Sequence, residues 1–167
     1  MRPMRLQKRE VREQEELKKI LDACQVLRIG TMDEEGMFIV PVNFGYEFYE
    51  DVERKQRLRF YIHSAQEGRK ADAFAKNPKV AIEMDREQGV IRGDYTCSYS
   101  FAYSSIMGNG MIRKVEEVQE KLHGLELLMK HMAPEAELEF LPQMLERVAV
   151  YCIEADRFSG KCRESKK

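Results

Sequence analysis

Phe60-Tyr-Ile-His-Ser-Ala-Gln-Glu-Gly-Arg-Lys70, continued by Ala71-Asp-Ala-Phe-Ala-Lys76 and Asn77-Pro78, is the stretch on which the architecture turns. From Arg57 to His63 the apolar residues Leu58, Phe60 and Ile62 alternate with polar ones, the pattern of a strand with one wet face. Gly68 then opens a short alanine-rich helix, Asn77-Pro78 stops it, and Lys79 to Met84 is strand-like again. The order strand, basic turn, helix, strand sets Arg69 and Lys70 at a helix start. Free backbone N–H groups, the positive end of the helix dipole and two cations there suit a phosphate dianion. Arg69 can grip phosphate oxygens with a two-pronged fork, whereas Lys70 offers a point charge. Charge spacing alone favours a plainer alternative, in which both are solvated and pair with Glu67 and Asp72.

Upstream, Leu17, Ile20, Leu21 and Cys24 fall at i, i+3, i+4 and i+7, predicting a surface helix over about Glu10 to Ala23. Gln25 to Met32 and Met37 to Tyr46 carry short-period apolar patterns on either side of Asp33-Glu34-Glu35-Gly36, which predicts a hairpin. Pro41 cannot donate to a ladder, so the second strand is edged or bulged there. Tyr49 to Gln56 reads as a loop.

Downstream, residues 85–98 look loop-like. Tyr99 to Lys114 can be one long strand in which Gly108 and Gly110 mark a bulge or a close backbone contact. That G-x-G opens no helix after a strand and is no dinucleotide fingerprint. Val115, Val118, Leu122, Leu125, Met129 and Met132 predict a second amphipathic helix ending near Ala133-Pro134. Arg147 to Ile153 is the last predicted strand, trailed by a turn over Phe158-Ser-Gly-Lys161. About six strands adjacent in sequence favour a mainly β fold, an antiparallel β-barrel with peripheral helices, over a parallel doubly wound sheet.

With 167 residues, 43% of them hydrophobic and 34% charged, the chain suits one globular domain with one core. The formal net charge of -1 gives no field that points to nucleic acid, and no apolar run approaches the ~20 residues of a membrane span. The four cysteines show no metal-ligand spacing, so reduced thiols and a cytoplasmic location are expected. His123 and His131 are eight positions apart on one helix, too far to share a metal, and read as surface or packing residues.

Phe60-Tyr61, Gly68-Arg-Lys-Ala71 and Asn77-Pro78 with Val80 resemble the flavin-phosphate segment of the pyridoxamine 5'-phosphate oxidase-like split barrels. More closely, Val40-Pro-Val-Asn-Phe-Gly-Tyr46, Phe60-Tyr-Ile-His-Ser64, Tyr103-Ser-Ser-Ile-Met-Gly108 and Asp156-Arg-Phe-Ser-Gly-Lys161 resemble the nitroimidazole-resistance (Nim-type) branch, over about Val11 to Lys161. The resemblance implies an FMN-binding split barrel, with FAD as the alternative flavin, in a homodimer whose subunits share two flavin sites. Carried onto this chain, it implies that Arg69 and Lys70 hold the flavin phosphate with Ser64 nearby. Val42 and Asn43 line the ring system, Ser105 adds a flavin contact and Phe158 reaches across from the partner subunit. His63 lies beside the flavin and is the candidate for a chemical role; read from the sequence alone, it is a hydrogen-bonded strand-end residue.

Where the oxidases carry an Arg and a Lys in the strand matching 41 to 46, this chain has Pro41 and Tyr46, and it lacks Trp altogether. Oxidation of pyridoxamine phosphate is therefore not expected. The expected function is a flavin-dependent reductase of small planar acceptors such as 5-nitroimidazoles, with NAD(P)H or another reductant as donor. The alternative is a non-catalytic flavin or haem carrier or sensor. One domain over 1–167 is expected, with 1–9 a flexible arm and 162–167 a flexible tail.

Overall fold

The computed structural model describes residues 4–164. In chain order the elements are β1 (Glu10–Val11), α1 (Gln14–Ala23), β2 (Leu27–Asp33), β3 (Gly36–Val42), β4 (Gly45–Glu50), β5 (Gln56–Ser64), α2 (Arg69–Lys76), β6 (Lys79–Ile91), β7 (Ser100–Lys114), α3 (Val118–Met132), α4 (Pro142–Arg147) and β8 (Ala149–Arg163). The predicted hairpin forms between β2 and β3. Its turn is fixed by the Asp33 carboxylate, which accepts the Glu35 N–H at 2.9 Å, and by Gly36, whose φ of 117° only glycine adopts without strain. As its spacing requires, α1 buries Leu17, Ile20 and Leu21.

All strand pairs are antiparallel, in the order β3-β2-β6-β7-β8-β5-β4, with β1 laid against β8. The two outermost strands, β3 and β4, follow each other in the chain and are linked by Asn43 and Phe44 alone. Three trans peptide steps reach at most about 11 Å, so the sheet must curl until its edges meet at this corner. That curl makes the barrel. Phe44 lies fully buried in it, with Leu27, Ile29, Leu58, Phe60, Ile62, Met84, Ile106 and Ile153. Pro41 sits on edge strand β3 opposite Arg28, where a missing N–H does least harm, as the sequence predicts.

Several boundaries differ from expectation. The sheet has eight strands rather than about six. Tyr49 and Glu50 belong to β4, β6 runs on to Ile91, and β8 continues to Arg163 where a turn over 158–161 is predicted. The cause is cross-strand pairing: β7 binds β8 from Tyr103 opposite Arg163 to Lys114 opposite Tyr151, and this ladder holds a polar segment extended against its local preference. The ladder shifts register between Asn109 and Gly110, the bulge that the two glycines signal. A Cβ on Gly110 would lie 2.4 Å from the Glu154 carbonyl oxygen, so no larger residue fits the bulge unchanged. Within the expected arm over 1–9, Gln7–Arg9 form a 3-10 turn, and Glu10 directly after it pairs with Lys161. Cys162 and Arg163 belong to β8 and not to a tail; 1–3 and 165–167 lie outside the described residues.

Helix α3 covers the outward side of β4 and β5 at very short range. A Cβ on Gly45 would meet the Leu128 backbone nitrogen at 2.3 Å, and one on Gly124 the Tyr61 ring at 2.5 Å. His131 anchors the end of α3, its two ring nitrogens 2.7 Å from the Phe44 carbonyl and 3.2 Å from the Leu21 carbonyl, while His123 sits 2.9 Å from Glu47. His131 is thus a packing residue and His123 a surface one, as expected. Among the described residues no helix is long and apolar enough to cross a membrane, and no cluster of His, Cys, Asp and Glu could hold a metal ion.

Candidate functional site

Strand β5 delivers the site. Its alternation turns Leu58, Phe60, Ile62 and Ser64 inward and leaves His63 on the outer side, exposed, opposite Val150 of β8. Ser64 is 7% exposed, and among the described residues its hydroxyl has no hydrogen-bond partner. A buried unpaired hydroxyl costs stability, and this one lies where β5 gives way to the turn leading into α2. Thr31, buried on β2, carries a second unpartnered hydroxyl.

At the head of α2, Gly68 adopts a φ of 121° and the helix begins with Arg69 and Lys70. The expected pairing of these cations with Glu67 and Asp72 is not what forms. Arg69 instead grips Asp33 with two hydrogen bonds, Nε to Oδ2 at 2.6 Å and Nη2 to Oδ1 at 3.0 Å. It also lies 3.4 Å from Glu35, and its guanidinium stacks 4.2 Å over the Phe38 ring. The Arg69 fork, with the Glu35 and Gly36 backbone N–H groups, holds the Asp33 carboxyl below its usual range. Lys70 is half-buried, and among the described residues it has no ion pair. Lys76, a turn further on, reaches Glu34 at 3.1 Å.

The other expected residues fall into two groups. Gly45 pairs with Tyr61, so the chain leading back through Phe44 and Asn43 to Val42 runs toward the His63–Ser64 end of β5. Val42 packs against the core, and the Asn43 amide donates to the Gln25 carbonyl at 2.9 Å. Val42 and Asn43 thus lie at the β3–β4 corner toward the His63–Ser64 end of β5, whereas Arg69 is tied to Asp33 at the turn, the opposite end of the β2–β3 hairpin. Ser105 and Phe158 lie elsewhere, on the β7–β8 pair. Ser105, between Asp85 and Lys161, faces outward on the same sheet surface as Met107, whereas Phe158 turns toward its own barrel and packs against Phe48 at 6.3 Å between ring centroids.

Sequence reading missed the role of the hairpin turn as the acidic counterpart of α2. The signal was there: Asp33, Glu34 and Glu35 are the acidic complement of Arg69, Lys70 and Lys76. The turn chemistry of Asp33 and Gly36 explained their presence sufficiently to hide it.

An open antiparallel sheet curled into a split barrel, with a buried unpaired hydroxyl feeding a basic helix start, defines a known class of protein. The chain belongs to the pyridoxamine 5'-phosphate oxidase family, whose pattern matches residues 13–162. Among solved structures it is similar to a protein named for 5-nitroimidazole antibiotic resistance from Bacteroides thetaiotaomicron, at 26% identity over 91% of this chain and 85% of the other, with a TM-score of 0.75. It shares its fold with the flavocytochrome Anf3 from Azotobacter vinelandii, at 19% identity over 98% and 73% of the two chains and a TM-score of 0.76. An FAD and heme binding protein from Mycobacterium smegmatis has the same fold, at 18% identity over 94% and 74% and a TM-score of 0.78. No curated protein matches the sequence.

Proposed function

We propose that this chain binds a flavin, FMN in the first place, and as a homodimer passes electrons to small planar acceptors such as nitroaromatics. The observation that carries this reading is the buried Ser64 hydroxyl at the approach to the α2 N-terminus, unpartnered among the described residues, with Lys70 in the first turn of that helix forming no ion pair among them. A phosphate would satisfy the hydroxyl and meet the free N–H groups of the first helical turn. Membership of the family and similarity to the nitroimidazole-resistance protein support it.

Ser64 and Lys70 would hold the phosphate end, and Val42 and Asn43 would line the ring system. His63, exposed and without a hydrogen-bond partner among the described residues, would face ring or acceptor. The outward-facing partner subunit's Ser105 would reach the site from across the dimer seam. When bound, the flavin supplies hydride and single-electron transfer; the protein binds, orients and shields it.

The test begins with the colour and absorbance of the purified protein and the mass of the extracted cofactor. The flavin is then reduced without oxygen, by dithionite or NADPH, metronidazole is added and reoxidation is followed. Reoxidation faster than that of free reduced FMN supports a reductase; an equal rate shifts the reading to a carrier. His63→Ala is expected to retain flavin while changing that rate. One observation favours a haem-binding carrier as a second reading: the unengaged His63 imidazole, since imidazole is a common axial ligand of haem iron. A Soret band lost in His63→Ala would establish it.

A further inference from the structure

We propose that Asp33 is a built-in competitor for the anion at α2, and so sets which phosphate-bearing ligands the site accepts; this rests on the flavin-phosphate reading above. Arg69 is the residue best shaped to clasp a phosphate, yet its fork is closed on Asp33 by bonds of 2.6 and 3.0 Å, in the same two-pronged geometry that a phosphate would use. The clasp is braced from several sides. The Asp33 side chain is only 17% exposed and is held by the Glu35 N–H at 2.9 Å, and Phe38 supports the guanidinium from below. Glu35 adds a second carboxylate at 3.4 Å.

The local charge balance points the same way. Asp33, Glu34, Glu35 and Asp72 gather around Arg69 and Lys76 in one cleft. Lys70 alone among the three cations lacks a carboxylate within ion-pair distance among the described residues. A dianionic phosphate approaching this cleft meets carboxylates first, and Arg69 becomes available to it only when Asp33 lets go. Asp33 is thus a specificity-determining residue: it leaves binding of the uncharged flavin body untouched and penalises ligands by the charge of their phosphate end. The same contact, with Lys76–Glu34 at 3.1 Å beside it, ties hairpin β2–β3 to helix α2, so an anion that wins Arg69 removes one of the two ties.

The experiment compares FMN, riboflavin and inorganic pyrophosphate on the full chain and on Asp33→Asn, Arg69→Met and the double variant. Asparagine retains an oxygen for the Glu35 N–H, so the turn survives. Asp33→Asn should bind FMN about tenfold or more tightly than the parent while riboflavin affinity stays unchanged, tenfold being about 1.4 kcal/mol. Arg69→Met alone should change FMN affinity less than threefold, because Arg69 is already engaged, and should abolish the gain when added to Asp33→Asn. Pyrophosphate, followed by isothermal titration calorimetry, should show the same ordering. FMN binding that is unchanged or weaker in Asp33→Asn overturns the competitor while leaving the flavin reading intact. Pyrophosphate binding that rises in Asp33→Asn in a protein that takes no flavin keeps the competitor and removes the flavin reading. If Arg69→Met alone costs tenfold for FMN, Arg69 serves the phosphate directly and the competitor is wrong.

Discussion

Cys97 stands exposed on the β6–β7 connection, whereas Cys24 and Cys152 are buried, at 3% and 0% exposure. Burial, with Asp85 and Glu83 close by, pushes the Cys24 thiol up to about 11, and burial with Glu154 pushes Cys152 up to about 12. A thiol reacts as its thiolate, so both are inert near neutrality, and Cys162, raised by burial, is slower than an open cysteine. Ellman's reagent at pH 8 should therefore label Cys97 in a fast phase that vanishes in Cys97→Ser, and reach Cys24 and Cys152 only after unfolding. Fast labelling of Cys152 in the native protein would contradict its burial on β8. At this scale the sequence was readable where a residue acts through its own backbone: Pro41 marked an edge because it has no N–H. It was less readable where a side chain's partner is distant in the chain. Arg69 suits either a phosphate or the neighbouring Glu67 and Asp72, and the acidic turn that takes it instead is 36 residues away, where turn chemistry already accounts for Asp33.

Helix α3 is tied to the sheet by Glu120, which accepts from Arg113 of β7 at 2.5 and 3.0 Å and from the Tyr61 hydroxyl of β5 at 3.2 Å. The Arg113 hydrogen bonds, then its charge and the Tyr61 hydroxyl, outweigh burial and hold this carboxyl below its ordinary value. A carboxyl depressed in the folded state contributes stability that is fully present above its unfolded value and lost as pH falls through the folded one. Glu120→Gln should thus lower the melting temperature at neutral pH, and by less as pH falls below the ordinary carboxyl range toward the depressed folded value. The difference between parent and variant must shrink on acidification; a constant difference would mean that Glu120 acts by packing alone. Elements with a strong period of their own, such as α1, α3 and β5, were legible. Strand β8 beyond Ile153 was not, because Asp156-Arg-Phe-Ser-Gly-Lys161 has the composition of a turn and is extended only by its pairing with β7. Helix α4 had a readable start in Pro142 at its first turn, and its brevity concealed it.

On the whole molecule, the outer surface of β3, β2, β6 and β7 carries side chains that an isolated barrel would leave in water. Met37 is 86% exposed, Ile39 68% and Met107 61%, around a shallow centre formed by Gly30 and Ala81 opposite one another. With the Arg28–Glu83 and Arg28–Asp85 ion pairs on the same surface, this is the face we propose for a second copy, and Ser105 lies on it. Light scattering should report a dimer, and Met107→Asp or Ile39→Asp should shift it toward monomer with loss of any bound flavin. A flavin-loaded parent monomer at micromolar concentration would contradict the shared site. The barrel class itself was legible from strands that neighbour one another in sequence. Which strands sit at the edges was not, because that depends on β8 entering between β7 and β5.

That insertion has a consequence for how the molecule comes into being on a ribosome. β8 follows the other strands in the chain yet holds the middle of the sheet, bonded to β7 on one side and to β5 on the other. Until it emerges, the nascent chain can assemble only two separate pieces, the sheet β3-β2-β6-β7 and the hairpin β4–β5, each with a bare edge waiting for the same late partner. Neither piece closes the core. Translation therefore delivers the keystone after the arch, and the interval before it arrives is when these edges most need shelter from one another's copies on a crowded polysome.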